Sequence, residues 1–206
     1  MTFKKEKYKI IRKAVSKDIA DFVNNYILLK EQVHDTLKDS RYIIPFSDDW
    51  GTREDRQCWN AYSHYADIAM ETLLLNCLPL VEKETNLKLW PTYAYTRVYK
   101  KGHVLEKHTD RESCEVSTTL NLGGDMWSIY LTDKKGKDVE VKLKPGDMLL
   151  YSGCELEHWR NPFKGNYCSQ VFLHYNIQNK KNKINKFDGR IHLGLPKWFK
   201  GKNYER

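Results

Sequence analysis

The chain lacks several things that would place it in a familiar class. No apolar run approaches the ~20 residues of a membrane-crossing helix. The opening stretch, MTFKKEKYKIIRK, is charged where a secretory leader carries an apolar segment. Cysteine is sparse and unpaired in pattern. Cys58, Cys77, Cys114, Cys154 and Cys168 are an odd, scattered set without a CxxC pair, which argues against a disulfide framework and for reduced thiols in a cytoplasmic protein. Internal repeats and low-complexity tracts are absent, apart from a lysine-rich patch near residue 180. What remains is 206 residues with 40% hydrophobic and 13% aromatic content, enough for one domain with a substantial core.

The net charge of +8 is uneven. From Lys180 to Arg206 nine Lys/Arg face two Asp/Glu, so nearly all the excess lies in the last 27 residues. Two readings are open: a solvated, partly mobile extension, or a segment that holds nucleic acid or another acidic partner through counterion release.

The pattern predicts a helical layer followed by strands. Lys9–Val15 reads as a short strand or lead-in. Ser16 is placed to cap a helix reaching about residue 37, with Ile19, Phe22, Val23, Tyr26 and Ile27 at helical spacing. Residues 38–58, with Pro45, Gly51 and several aspartates, read as loop. A second helix is expected over about 60–85, with an apolar stripe through Ala66, Met70, Leu73, Leu74 and Cys77, and Pro79 as a kink or break. After Pro91 come about eight short β-like runs punctuated by turn signals such as Lys101-Gly102, Gly123-Gly124, Lys135-Gly136 and Pro145-Gly146. Helices and then strands predict an α+β fold, a jelly roll over about 91–178 buttressed by N-terminal helices.

Within the strand region lie His108-Thr109-Asp110 and, fifty positions on, His158. Side chains at i and i+2 of an extended segment share a face, so His108 and Asp110 can grip one ion together while His158 caps the same triangular face. Two imidazoles and a carboxylate with open positions opposite are the facial triad of non-haem Fe(II) oxygenases. Three positions then remain: two for the keto and C1 carboxylate oxygens of 2-oxoglutarate, one for O2. The far carboxylate of that dianion needs a buried cation and hydroxyl donors. Arg160, two residues after His158, is the candidate cation, with Tyr99 and Thr118 as donors. Lys164 is the rival anchor. His103 and His174 read as structural. The residues also allow blander roles: a surface ion pair for His108 and Asp110, an interior hydrogen-bonding role for His158, and a core carboxylate partner for Arg160.

These residues resemble a known superfamily, the Fe(II)- and 2-oxoglutarate-dependent dioxygenases, and within it the prolyl 4-hydroxylase-like branch. The similar stretches are RVYKKGHVLEKHTDRESCEVSTTLNLG, LKPGDMLLYSGCELEHWR and SQVFLHYN, within about residues 91–176. The resemblance implies a double-stranded β-helix with supporting N-terminal helices, Fe(II), 2-oxoglutarate and O2 as cofactor and co-substrates, and ascorbate as an accessory reductant. It also implies hydroxylation of a C–H bond in a prolyl or other amino-acid or peptide substrate. One departure stands out. The branch carries its carboxylate-binding Lys or Arg nine to eleven residues after the distal His, where this chain has Tyr167, Cys168 and Ser169. The basic C-terminus keeps a nucleic-acid oxidase or demethylase open as an alternative, and a non-catalytic jelly-roll binding module is a third. Tyr93, Tyr95, Arg97, Arg111 and Trp127 are expected to line the mouth of the site, unless Arg97 and Arg111 serve as structural ion pairs with Glu112 or Glu115.

Overall fold

The computed structural model describes residues 3–42 and 49–199. Residues 43–48 of the expected loop and 200–206 of the basic segment lie outside the described residues. The chain runs α1 (Phe3–Glu6), β1 (Tyr8–Ile11), α2 (Lys17–Asp39), β2 (Tyr62–Tyr65), α3 (Ile68–Thr85), β3 (Leu89–Lys100), β4 (Leu105–His108), β5 (Val116–Gly124), β6 (Ile129–Thr132), β7 (Asp138–Val141), β8 (Met148–Tyr151), β9 (His158–Arg160) and β10 (Tyr167–Ile177). Short 3-10 segments span Glu112–Cys114 and Lys181–Gly189. The strands form two antiparallel sheets, one in the order β1-β8-β5-β10-β3-β2 and one in the order β4-β9-β6-β7. This is the double-stranded β-helix expected from the sequence.

Period-two alternation sorts each strand of the larger sheet into a structural face and a chemical face. Val116, Leu120 and Leu122 of β5, Met148 and Leu150 of β8, and Val171, Leu173 and Tyr175 of β10 pack with Val23 and Ile27 of α2 and Met70, Leu74 and Val81 of α3. The alternate residues face the smaller sheet. Leu149 and Tyr151 join Ile129, Leu131 and Val141 in one cluster, and Tyr99, Cys168 and Phe172 join Trp127 and Phe163 in another.

The helix over 17–39 begins at the expected cap, where the Ser16 hydroxyl accepts from the Ile19 N–H at 3.2 Å. The second helix starts later than expected. Residues 62–65 form the edge strand β2, in register with Tyr95–Val98 of β3. Ala66 then turns the chain with φ 59°, and Asp67 caps α3 by accepting from Ala69 and Met70 N–H. Pro79 lies inside α3 and does not divide it.

The basic segment is not a loose extension through residue 199. Beyond β10, Asn182 donates to Glu115 Oε2 at 2.8 Å. Arg190 is buried against α3, its Nη2 2.6 Å from Glu71 Oε1 and its Nη1 3.2 Å from Glu71 Oε2. Removing one partner of such a pair leaves an uncompensated charge in a low-dielectric interior. Glu71→Ala should therefore lower unfolding stability by about 3–5 kcal/mol, read as a reduced urea midpoint at unchanged slope. Glu71→Leu combined with Arg190→Met should recover much of the loss.

Candidate active site

A bulge sets the geometry of the candidate metal site. Leu105 of β4 pairs with Arg160 of β9, yet it is His108, not Lys107, that pairs with His158. One extra residue on β4 shifts the alternation and puts both imidazoles on one face. Their ring centroids lie 4.3 Å apart. Asp110 Oδ1 is 3.7 Å from His108 Nε2 and 3.6 Å from His158 Nε2, and one ligand atom from each residue falls within 4.8 Å of the others.

Each ring is oriented through its other nitrogen. His108 Nδ1 lies 2.7 Å from the Glu106 carbonyl and His158 Nδ1 lies 2.9 Å from the Leu156 carbonyl. A carbonyl only accepts, so both Nδ1 atoms carry a proton and both Nε2 atoms are turned toward Asp110. Burial, aided by the neighbouring His158, holds the His108 imidazole below its ordinary pKa, a shift toward the neutral form that a metal ligand requires. Burial alone would raise the Asp110 carboxyl, but His158 beside it and the Ser117 hydroxyl bonded to it hold it well below the usual carboxylate range. Ser117 Oγ donates to Asp110 Oδ2 at 2.8 Å and lies 2.9 Å from His174 Nδ1. His174, assigned a structural role from sequence, thus stands directly behind the carboxylate. Burial pushes its imidazole down to about 4, so it is neutral at physiological pH and its Nδ1–H donates to Ser117.

The three groups open onto a cavity of about 340 Å³ that also touches Tyr93, Tyr95, Arg97 and Arg111. Asp55 and Gln57, from the segment expected only as loop, reach across it. Asp55 forms an ion pair with buried Arg97 and accepts from Tyr95 Oη at 2.5 Å. Gln57 Oε1 accepts from Arg97 Nη2 at 3.0 Å, and its amide nitrogen sits 2.7 Å from His108 Nε2. Gln57 and a metal ion therefore compete for one lone pair. Nothing in the local pattern around Asp55 and Gln57 distinguishes them from ordinary turn residues.

Arg160 differs from the other arginines of the site. It is 1% exposed, and its guanidinium touches only the Trp127 carbonyl at 2.7 Å and Thr119 Oγ1 at 3.4 Å. Its Nε has no hydrogen-bond partner, and no carboxylate pairs with it among the described residues. Tyr99 packs on the same Trp127 ring. Its hydroxyl accepts from Arg97 Nη1 at 3.0 Å and has no acceptor for its own proton among the described residues.

Three expectations are corrected. Thr118 faces the helical layer, where its hydroxyl bonds the Leu173 backbone; alternation makes Thr119 the β5 hydroxyl beside Arg160. Trp127 does not line the mouth but packs against Arg160, Tyr99 and Phe163, with its N–H on the Asn161 carbonyl. The partners of Arg97 and Arg111 are Asp55 and Asp188, not Glu112 or Glu115. Lys164 is exposed on a loop, and His103 accepts the Lys100 N–H in a turn.

Gly153 completes the seat of Asp110. Its carbonyl accepts the Asp110 N–H at 2.8 Å, and a Cβ there would press on Asp110 Oδ2 and lie 2.6 Å from Ser117 Oγ. Gly153→Ala should displace the carboxylate and weaken divalent-metal affinity about 10–100-fold, the usual range for outer-shell changes. Titration with Ni(II) checks this, with Gly136→Ala, at an open turn, as a control that keeps parent affinity.

No family model matches the sequence, and no curated protein matches it. Solved structures do resemble it. A prolyl 4-hydroxylase from Pseudomonas putida superposes with a TM-score of 0.64 at 11% identity, over 86% of this chain and 96% of that one. The viral collagen prolyl hydroxylase of Paramecium Bursaria Chlorella virus-1, in complex with 2-oxoglutarate, gives 0.56 at 13% identity, over 85% and 98%. HygX from Streptomyces hygroscopicus, with nickel and 2-oxoglutarate bound, gives 0.58 at 13% identity, over 85% of each chain. The shared property is the fold.

Proposed function

We propose that this protein is an Fe(II)- and 2-oxoglutarate-dependent dioxygenase that hydroxylates a C–H bond of an amino-acid or peptide substrate. The observation that carries the reading is the coincidence, in one sandwich, of a facial His108–Asp110–His158 donor set and a buried arginine without a counter-ion. The donor set fits iron: two imidazole nitrogens and a carboxylate on one side, with the cavity on the other. Arg160 fits the far carboxylate of 2-oxoglutarate. A buried cation with an unspent N–H is costly until an anion arrives, and a guanidinium–carboxylate contact is among the strongest polar pairings. When bound, iron and 2-oxoglutarate supply the oxidising chemistry, with O2 and R–H giving R–OH, succinate and CO2.

The chain's own residues do the rest. Glu106 and Leu156 carbonyls fix the two imidazole tautomers. Ser117 and His174 fix the Asp110 rotamer. Tyr99 has a hydroxyl proton to donate, and Thr119 already bonds Arg160. Trp127, Phe163 and Phe172 exclude water around them, which strengthens every charged contact inside. Arg160 on β9 lies close enough to Cys168 on β10 for its charge to act on that thiol. This accounts for the departure noted in the sequence: the cation has moved from β10 to the facing strand.

A prolyl or related amino-acid substrate is supported by likeness in fold to prolyl hydroxylases, an analogy and not a property of the site. The nucleic-acid alternative rested on the basic C-terminus, and the described part of that segment is folded against the sandwich.

His108→Ala and His158→Ala should each abolish Fe(II)-dependent release of succinate from 2-oxoglutarate, and should weaken Ni(II) binding measured calorimetrically. Arg160→Ala should keep metal binding and raise the 2-oxoglutarate requirement about thirtyfold or more, the scale of losing one partner of a buried charge pair at 2 kcal/mol or above. Thr119→Val should raise it less, and Thr118→Val should not change it. Parent-like 2-oxoglutarate dependence in Arg160→Ala would remove the anchor assignment.

A further inference from the structure

Arg111 follows the candidate ligand Asp110 and lines the same cavity. Its side chain is half-exposed, and its guanidinium lies 4.5 Å above the Tyr93 ring. Nη1 and Nη2 bond Asp188 Oδ1 and Oδ2 at 2.8 and 2.9 Å, and Nη1 also bonds Ser113 Oγ at 2.8 Å. Asp188 thus takes the end-on edge of the guanidinium. The side-on edge, Nε–H with the second Nη2–H, has no partner among the described residues. That edge is a fork matched to a planar two-oxygen anion.

Asp188 is built into place. It comes from the C-terminal segment, 77 residues beyond Arg111 in the chain, and it is 4% exposed. Phe187, Asp188 and Gly189 all have positive φ, at 55°, 56° and 75°. Two consecutive non-glycine residues in that region cost roughly 1–2 kcal/mol each, so the surrounding contacts must hold them there. Those contacts are the Arg111 pair, the Tyr65 hydroxyl at 2.7 Å from Asp188 Oδ2, and the buried Arg190–Glu71 pair two residues on. The same segment brings Lys197 to the cavity wall, where it has no acidic partner among the described residues.

We propose that the C-terminal segment is a wall of the substrate site, in which Asp188 is a positioning residue that holds Arg111 to bind a carboxylate of a small carboxylate-bearing substrate. The proposal rests on the dioxygenase reading and narrows its substrate class. Asp188 neutralises Arg111 enough to keep it folded inward, and leaves the second edge to recognise the substrate. Lys197 adds a cation that favours an anionic substrate over a neutral one.

The test uses the full-length protein loaded with Fe(II) and 2-oxoglutarate, assayed for succinate release with free L-amino acids, L-proline among them, each paired with its own carboxamide. The acid should exceed its amide at least tenfold in kcat/KM with the parent. Arg111→Ala should abolish that preference. Asp188→Asn should raise KM for the acid at least fivefold with kcat nearly unchanged. In the Arg111→Ala background Asp188→Asn should add nothing, whereas a merely structural role would give additive losses. Parent-like KM in Asp188→Asn, or an acid preference that survives Arg111→Ala, overturns the proposal. If Ni(II) and 2-oxoglutarate bind but no acid accelerates succinate release, the substrate class is wrong and the dioxygenase reading stands. If neither binds, both fall.

Discussion

The one-residue bulge in β4 is the constraint on which the candidate site depends. In a regular antiparallel pair, Leu105 opposite Arg160 would place Lys107 opposite His158. The extra residue makes His108 the partner instead and sends Lys107 outward, over Trp159 at 4.6 Å and beside Glu157 at 3.2 Å. Cross-strand partners share a face, so one shift in register brings two imidazoles within reach of one ion. Asp110 then needs only the turn after β4 and a glycine at 153 to meet them. Bulges cost a ladder hydrogen bond and are found where a side chain has to be re-aimed. Here that side chain is the candidate ligand His108.

Charge balance sets one buried arginine apart from the others. Arg97, Arg111 and Arg190 are each met by a carboxylate, from Asp55, Asp188 and Glu71 respectively. Each pairing joins elements far apart in sequence, 42, 77 and 119 residues respectively. Arg160 is at least as buried and has none. Burial pushes its guanidinium below the usual range, and only thiol and phenol groups oppose the shift. Among the described residues Arg160 is thus a buried arginine without a counter-charge, two residues from a metal-ligand candidate, and this imbalance is what supports its proposed role as an anion anchor. The bland expectation for Arg160, a core carboxylate partner, is the one the packing does not supply.

Much of this was legible in the sequence because it follows from period. His108 with Asp110, and His158 with Arg160, are i, i+2 pairs on extended chain, and that spacing survives translation into three dimensions. The helix over 17–39 was legible for the same reason, with a serine cap and a 3.6-residue stripe. Thr118 was misassigned because composition does not say which parity of β5 faces inward; the pairing to β8 and β10 and the packing of the helices decide that. Residues 62–65 were misread as helix because Tyr-Ser-His-Tyr is short and adjoins a strong helical stripe, while its true partner, β3, is some thirty residues on. Asp55, Gln57 and Asp188 were invisible for a different reason. Their roles come from long-range pairing with Arg97 and Arg111, and a lone carboxylate in a loop carries no local mark of its partner.

The division between the two faces of the larger sheet explains how such a site can be tolerated. On β5, β8 and β10 the odd and even positions are separate populations: one set is aliphatic and locked to α2 and α3, the other is rich in Ser, Thr, Gln, His and Tyr and faces the smaller sheet. The buried polar groups of the second set are costly to desolvate singly, yet Ser117, Thr119, Gln170 and His174 bond one another or the site across neighbouring strands. That network holds the donor groups at fixed rotamers, which a metal or co-substrate requires if binding is not to be spent on ordering them. The apolar face meanwhile supplies cohesion that does not depend on the occupancy of the cavity. Substitutions on Ser117 or His174 should therefore act on ligand affinity more than on the fold, while those on Leu120 or Leu173, on the opposite face of the same strands, should act the other way round.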